Sequence, residues 1–104
     1  MRMFMYTVYD SCAKMYDRPQ VAHADGEMMR VFGDICLDAD HPFGKHPEHY
    51  SLFRIGEFDN CTSEITPEDR VCLMTGLEAV ANARQVNGDQ LRLLDENISP
   101  GGTD

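Results

Sequence analysis

Four side chains suited to metal binding occur close together in the chain. Cysteine sulfur and histidine nitrogen are ligands that zinc prefers, and a His-x-x-His pair on one helical turn can direct both rings to the same side. The spacings match no strong zinc-finger pattern, and two of the histidines precede prolines at loop corners, where an imidazole commonly bonds the backbone. We therefore expect no metal and no other cofactor. The candidate ligands, should a site exist, are Cys36, His41, His46 and His49.

Nucleophilic catalysis would require a cysteine beside a histidine that accepts its proton, with a third group to orient the histidine. Cys12 has Asp10 and Lys14 near it in sequence but no histidine. The chain also contains no glycine-rich phosphate loop, no G-x-S-x-G and no H-E-x-x-H. We expect a protein without enzymatic activity and without catalytic residues. The four cysteines form no C-x-x-C pair, which indicates free thiols in a reducing compartment.

Single-stranded nucleic acid is bound by cations that follow its backbone and by aromatic rings on which its bases stack. Both kinds of side chain occur before residue 51, and they would form one site if the first strand, the segment after it and the following loop shared a surface. The competing interpretation is that tyrosines at strand ends cover the edges of the core. The candidate binding residues are Arg2, Lys14, Arg18, Phe43, Lys45, His46 and Tyr50, with Tyr9 and Tyr16 as further aromatic residues nearby.

The overall charge limits what such a site can be. The formal net charge is −9, from 18 acidic and 9 basic side chains, and both halves of the chain are acidic. Phosphate repels a uniformly acidic protein at long range, whereas nucleic-acid-binding proteins usually carry a basic patch. Any contact with DNA must therefore be local. An acidic surface equally suits a basic protein partner.

The elements that would position these residues begin with a strand. Residues from Met3 to Tyr9 are rich in strand formers on both sides, which predicts a central strand covered on both faces. The segment from Ala13 to His23 contains Pro19, so it is expected to be an edge strand or a loop that runs back along the first strand.

A helix is predicted next. Asp25 is its expected N-cap, and apolar residues recur at helical spacing as far as about Leu37. Prolines and a glycine then predict a surface loop over residues 38–50, with one helical turn at Pro47 to Tyr50. The next strand is expected from Ser51 to Phe58, followed by a turn over residues 59–63.

Two interpretations remain open for residues 66–86. Thr66 followed by Pro67 has the form of a capped helix start, and apolar residues follow at spacings of three and four. Gly76 interrupts that pattern, so the alternative is a short strand from residue 70 to 75 and a helix from Leu77 to Val86. Further on, residues 91–94 form a short apolar segment, and residues 99–104 are expected to be a disordered tail.

These elements predict one α+β domain over residues 1–98. Its expected form is a small antiparallel or mixed sheet, with the amphipathic helix and a C-terminal helical element packed on one face. No stretch has the length and apolarity of a membrane span or a secretory signal. We therefore expect a cytoplasmic location and no contact with a membrane.

Four blocks of residues resemble a phage protein family. They are YTVYDS at 6–11, DGE at 25–27 with Arg30 and Phe32, HPFGKHPE at 41–48 with Tyr50, and LFRIGEFD at 52–59. Their order and spacing are similar to those of the small nonstructural protein of gokushoviruses, a group of the Microviridae. The resemblance covers a core of about residues 1–66, and residues 67–98 diverge from the family's usual short ending.

The resemblance implies an accessory protein in the host bacterial cytoplasm. It implies binding of single-stranded DNA in support of viral genome synthesis, and the family brings no catalytic residues. Lys45 and His46 would be the cationic edge of the HPFGKHPE loop. The charge leaves two other roles open: an acidic module that acts on a host or viral replication protein, or an assembly aid that forms homo-oligomers.

Overall fold

The strand at the centre of the fold is β1 (Arg2–Asp10). The structure, a computed structural model, describes residues 1–83. In these residues β1 pairs with β2 (Met15–Tyr16), β3 (Gln20–Ala22) and β4 (Tyr50–Asp59), and β4 pairs with β5 (Ile65–Thr75). Every pairing is antiparallel, and the strand order is β2-β1-β4-β5 with β3 also on β1. The predicted α+β class with a small sheet is confirmed, and the sheet is antiparallel.

The segment after β1 runs back along it, as predicted. Proline has no N–H to donate to a ladder, and Pro19 lies in the gap between β2 and β3. Two other bonds hold this gap to β1: the Thr7 hydroxyl donates to the Asp17 carbonyl at 2.7 Å, and the Asp17 N–H donates to the Val8 carbonyl at 2.9 Å. The return segment is therefore fixed to β1 on both sides of its proline.

The predicted amphipathic helix is α1 (Asp25–Cys36), which buries Met28, Phe32 and Cys36. The predicted cap was wrong. Ala24 is the N-cap and provides no side-chain bond, while Asp25 is the first helical residue. Its carboxylate is engaged elsewhere, because Oδ1 accepts a hydrogen bond from the Tyr6 hydroxyl at 2.7 Å and Oδ2 forms an ion pair with Arg54.

Of the two interpretations for residues 66–86, the helix that starts at Thr66 and Pro67 is wrong. The chain continues β5 to Thr75, and helical structure begins at residue 76 and extends to residue 83, the last described. We call this helix α3. Pro67 is tolerated because β5 is an edge strand and because the register shifts beside its partner Gly56. The strand alternative was correct in type, but the strand begins five residues earlier than expected.

The core lies on one face of the sheet. Tyr6, Leu52 and Met74 point to that face and pack with Phe32 of α1 and Ala79 of α3, which confirms that the helices share one face. The expectation that β1 is covered on both faces is met only in part, because the described helices lie on one of them. Within residues 1–83 no helix covers the opposite face, and apart from the buried Thr7 its β1 residues are half-buried. We call it the open face.

Other predictions on the chain's later part lie outside the described residues. These are the end of the last helix near Val86, the apolar segment at 91–94, the end of the domain at 98 and the tail at 99–104. In residues 1–83, no helix combines the length and apolarity needed to cross a membrane.

Candidate nucleic-acid interface

The loop between α1 and β4 contains two short helical turns. The first, α2 (Pro42–Lys45), was not predicted; its N-cap is His41, whose Nδ1 accepts the Phe43 N–H at 3.1 Å. The second is a 3-10 turn at Pro47–His49, which confirms the predicted turn but ends one residue earlier, because Tyr50 begins β4. Gly44 lies so close to the Asp38 carbonyl oxygen that a Cβ there would be 1.8 Å from it. Only glycine fits this position, which is why the HPFGKHPE segment has one.

The aromatic residues of this loop are used for packing. Phe43 lies with its ring centroid 5.9 Å from that of Phe32, 4.4 Å from that of Tyr50 and 4.6 Å from that of His41. Desolvation raises the pKa of the Tyr50 hydroxyl. Phe43 and Tyr50 therefore extend the core on the helix-covered side, in agreement with the interpretation that such rings cover core edges.

The predicted cations do not form one surface. Arg2 lies at the start of β1 and pairs with Glu57 at 3.0 Å, whereas Lys14 lies in the turn beyond the other end of β1, with a positive φ of 57°. Arg18 lies between β2 and β3 and lines a cavity beneath α1.

Lys45 and His46, at the end of α2, share Lys14's end of the sheet, because the Ser11 N–H donates to the His49 carbonyl at 2.8 Å. The structure thus brings Lys14, Lys45 and His46 to one end and places Arg2 at the other.

The open face carries a different set of aromatic side chains, drawn from three strands. The ring centroids of Tyr9 and Tyr16 are 4.7 Å apart, and those of Tyr16 and Phe53 are 6.2 Å apart. The Arg70 guanidinium lies 5.5 Å from the Tyr16 ring centroid and 5.6 Å from that of Phe53. Tyr16 is 41% exposed. We call Tyr9, Tyr16, Phe53 and Arg70 the ring cluster.

Beside the ring cluster is a shallow apolar pocket of about 250 Å³. Thr7 and Ile55 form its floor on β1 and β4, and Pro19 contributes from the return segment. Tyr16 and Arg70 also line it. A flat group could thus rest against the Tyr16 ring and contact the guanidinium.

The open face differs from the rest of the molecule in charge. By strand alternation, the paired residues that face it include no carboxylate, whereas the acidic residues Asp10, Glu57 and Asp59 project to the helix side. Glu68 also projects there, because it accepts a hydrogen bond from Arg54 at 3.1 Å. Within the described part of the chain, no carboxylate forms an ion pair with Arg70.

A β-bulge in β4 is one reason that carboxylates project away from the open face. Tyr6 pairs with Arg54 and Met5 pairs with Gly56, so Ile55 is the extra residue. Without it, regular alternation would direct Glu57 to the open face and Phe58 to the core side. The bulge therefore exchanges a carboxylate for an aromatic ring on the open face.

Sequence reasoning found part of this site. Tyr9 and Tyr16 had been noted as aromatic residues near the candidate cations, but Phe53 and Arg70 were missed. Phe53 follows the buried Leu52, so alternation alone could have placed it on the opposite face. Arg70 could not be assigned to a face of the sheet, because the sequence left its segment as either a helix or a strand.

The four candidate metal ligands do not converge. Cys36 is buried in the core, and burial raises its thiol pKa to about 11, which disfavours the thiolate. His41 uses Nδ1 to cap α2. In the described residues, the cluster that does form is His46, Glu48 and His49.

Comparison with known proteins adds a family. A family model described as Phage ORF5 protein matches residues 3–79, well over half of the chain. The chain therefore belongs to the phage ORF5 protein family and is a phage protein, which confirms the bacteriophage part of the resemblance. The match continues beyond residue 66, through β5 and into α3. No curated protein and no solved structure gives a significant match.

Proposed function

We propose that this phage accessory protein binds single-stranded DNA on the open face of its sheet. The observation that carries the proposal is the ring cluster, in which a partly exposed tyrosine and a phenylalanine adjoin an arginine that has no carboxylate partner in residues 1–83. Bases stack on such rings, and a guanidinium beside them can contact a phosphate or a base edge.

The site favours single strands over duplexes. Bases in a duplex are already stacked and paired, whereas those of a single strand are free to lie against a protein ring. The pocket lined by Thr7, Ile55 and Tyr16 is open to solvent along the sheet surface, so a strand could cross it without a deep cleft.

The net charge of −9 supports only a local interaction. Four acidic residues of the strands project to the helix side, which reduces the repulsion at the open face: Asp10, Glu57, Asp59 and Glu68. Few cations are available to neutralise phosphates. We therefore expect modest affinity, with most of the binding free energy from stacking and only a shallow dependence on salt concentration.

The proposed role is binding rather than catalysis. It is supported by the raised pKa of the buried Cys36 thiol and by the cap function of His41. The motif resemblance supports a phage of the gokushovirus type within the Microviridae, a role in viral genome synthesis, and action in the host cytoplasm.

The test is fluorescence anisotropy of a labelled oligothymidylate titrated with the pure protein at low and physiological salt. Stacking contributes about 1–3 kcal/mol per base, so Tyr16→Ala should weaken binding by about 5-fold to 150-fold. Arg70→Ala should weaken it as well.

The matched control is Lys45→Ala, which removes one positive charge outside the ring cluster and should change affinity little. Circular dichroism checks that each variant folds. A flat titration of the wild type at low salt would overturn the proposal, and so would equal losses for Arg70→Ala and Lys45→Ala.

A second candidate is self-association, and one feature of the open face favours it. Met3, Phe58 and Ile65 are adjacent across β1, β4 and β5, and Ile65 is 59% exposed. Such an apolar patch suits a protein surface better than a phosphate backbone. Light scattering after size exclusion would support this function if the wild type is a dimer and Ile65→Lys a monomer, and a wild-type monomer would exclude it.

A further inference from the structure

We propose that His46, Glu48 and His49 form a binding site for a divalent transition-metal ion, with zinc as the reference ion. The site lies on the 3-10 turn that joins α2 to β4, on the protein surface. It is separate from the ring cluster, and it does not depend on DNA binding.

The donor atoms are already close together. Glu48 Oε2 is 3.7 Å from His46 Nδ1 and 3.7 Å from His49 Nε2, and all three donor atoms lie within 4.8 Å of one another. Zinc bonds to nitrogen and oxygen are about 2.0–2.2 Å long, so neighbouring ligands in a tetrahedral shell are about 3.4 Å apart. The His46 and His49 rings are stacked, with centroids 5.5 Å apart and an interplanar angle of 24°, so metal binding requires both rings to rotate until their nitrogens face one ion.

The backbone that carries these residues is held in place. The His49 N–H donates to the His46 carbonyl at 3.0 Å, and the His49 carbonyl accepts from both the N–H and the hydroxyl of Ser11. Gly76 packs against Pro47 so closely that a Cβ there would be 2.2 Å from the Pro47 carbonyl oxygen. Ligands on a fixed backbone lose less conformational entropy when they bind a metal.

The donor set indicates the class of ion. Two imidazole nitrogens and one carboxylate oxygen suit zinc, copper and nickel, whereas magnesium and calcium prefer shells made of oxygen. Three protein ligands leave a fourth position for water, and the exposure of His46 and Glu48 gives solvent access. The 3.7 Å separations exceed hydrogen-bond distance, so Glu48 lies within ion-pair range of both imidazoles without a hydrogen bond to either.

The test is a competition titration of zinc against a chromogenic chelator at neutral pH. Exposed thiols also bind zinc, so the measurement uses a background in which the three exposed cysteines, Cys12, Cys61 and Cys72, are replaced by serine. In this background we expect one zinc ion per chain. The variant His46→Ala/His49→Ala should lose at least about tenfold in affinity, since two of three ligands are removed.

The matched control is His23→Ala, which removes an exposed histidine outside the turn and should leave zinc affinity unchanged. Imidazole nitrogen resonances provide a second readout, because zinc should shift those of His46 and His49 but not that of His23. Absence of zinc binding in the serine background, or equal affinity for the double variant and His23→Ala, would overturn the proposal.

Discussion

Replacing Asp25 with alanine removes the carboxylate at which one helix and two strands meet. The Tyr6 hydroxyl donates to Oδ1 at 2.7 Å, and Arg54 of β4 pairs with Oδ2. Arg54 also donates to Glu68 of β5 at 3.1 Å, so it keeps one partner in the variant. Tyr6 keeps none that the structure shows, and its side chain is 0% exposed.

The expected loss of stability has two parts. A buried hydroxyl left without a partner costs about 1–3 kcal/mol. The ion pair joins side chains that are 25% and 34% exposed. A pair with this much solvent exposure contributes at most about 1 kcal/mol to stability. Together, Asp25→Ala should lower the free energy of unfolding by about 1–4 kcal/mol.

The assay is urea denaturation, with the midpoint shifted and the slope unchanged. Tyr6→Phe provides the matched control, because it removes the hydroxyl that Asp25 satisfies. In the Tyr6→Phe background, Asp25→Ala should cost only the ion-pair share of about 1 kcal/mol. Equal costs in the two backgrounds, or a wild-type cost below about 1 kcal/mol, would show that the buried hydroxyl does not depend on this carboxylate.

Three further predictions concern stability. Gly76→Ala should lower the free energy of unfolding by at least about 2 kcal/mol, because its Cβ would meet the Pro47 carbonyl; an unchanged urea midpoint would contradict this close approach. Gly33→Ala, at a position of α1 where a Cβ has nothing within 4 Å, should instead stabilise by about 0.5–1 kcal/mol on the same assay. Burial raises the pKa of the Cys36 thiol from 9.0 to about 11, and the pKa of Tyr6 is also raised by burial. The folded state thus holds these protons more tightly, and its stability, fully present below pH 9, should fall as pH rises toward 11. Cys36→Ala should flatten that fall, as measured by urea midpoints across the pH range.

Much of the fold could be predicted because its signals are local. The apolar stripe with Met28 and Phe32 predicted α1 within a residue, and the strand formers of residues 3–9 predicted β1. Pro19 predicted the return segment as edge structure. Each signal depends only on spacing along the chain or on the backbone of one residue. It can therefore be interpreted without knowing which other segments pack against it.

The predictions were wrong where a contact with another element of the fold had more influence than the local sequence pattern. Thr66 and Pro67 have the form of a helix start, but the edge of β4 pairs with both ends of the segment 65–75, despite two register shifts between them. Asp25 has the form of an N-cap, but Tyr6 and Arg54 engage its carboxylate. In both cases the deciding contact comes from another element of the fold.

The candidate site divides in the same way. Composition and local patterns specify the acidic balance, most of the elements and the residue types that could stack or bind metal. Which of these residues meet depends on the three-dimensional fold. Tyr16, Phe53 and Arg70 come from three strands, and the bulge at Ile55 directs Glu57 away from them. Strand pairing and register are set by hydrogen bonds between different segments, and the periodicity of one segment does not contain that information.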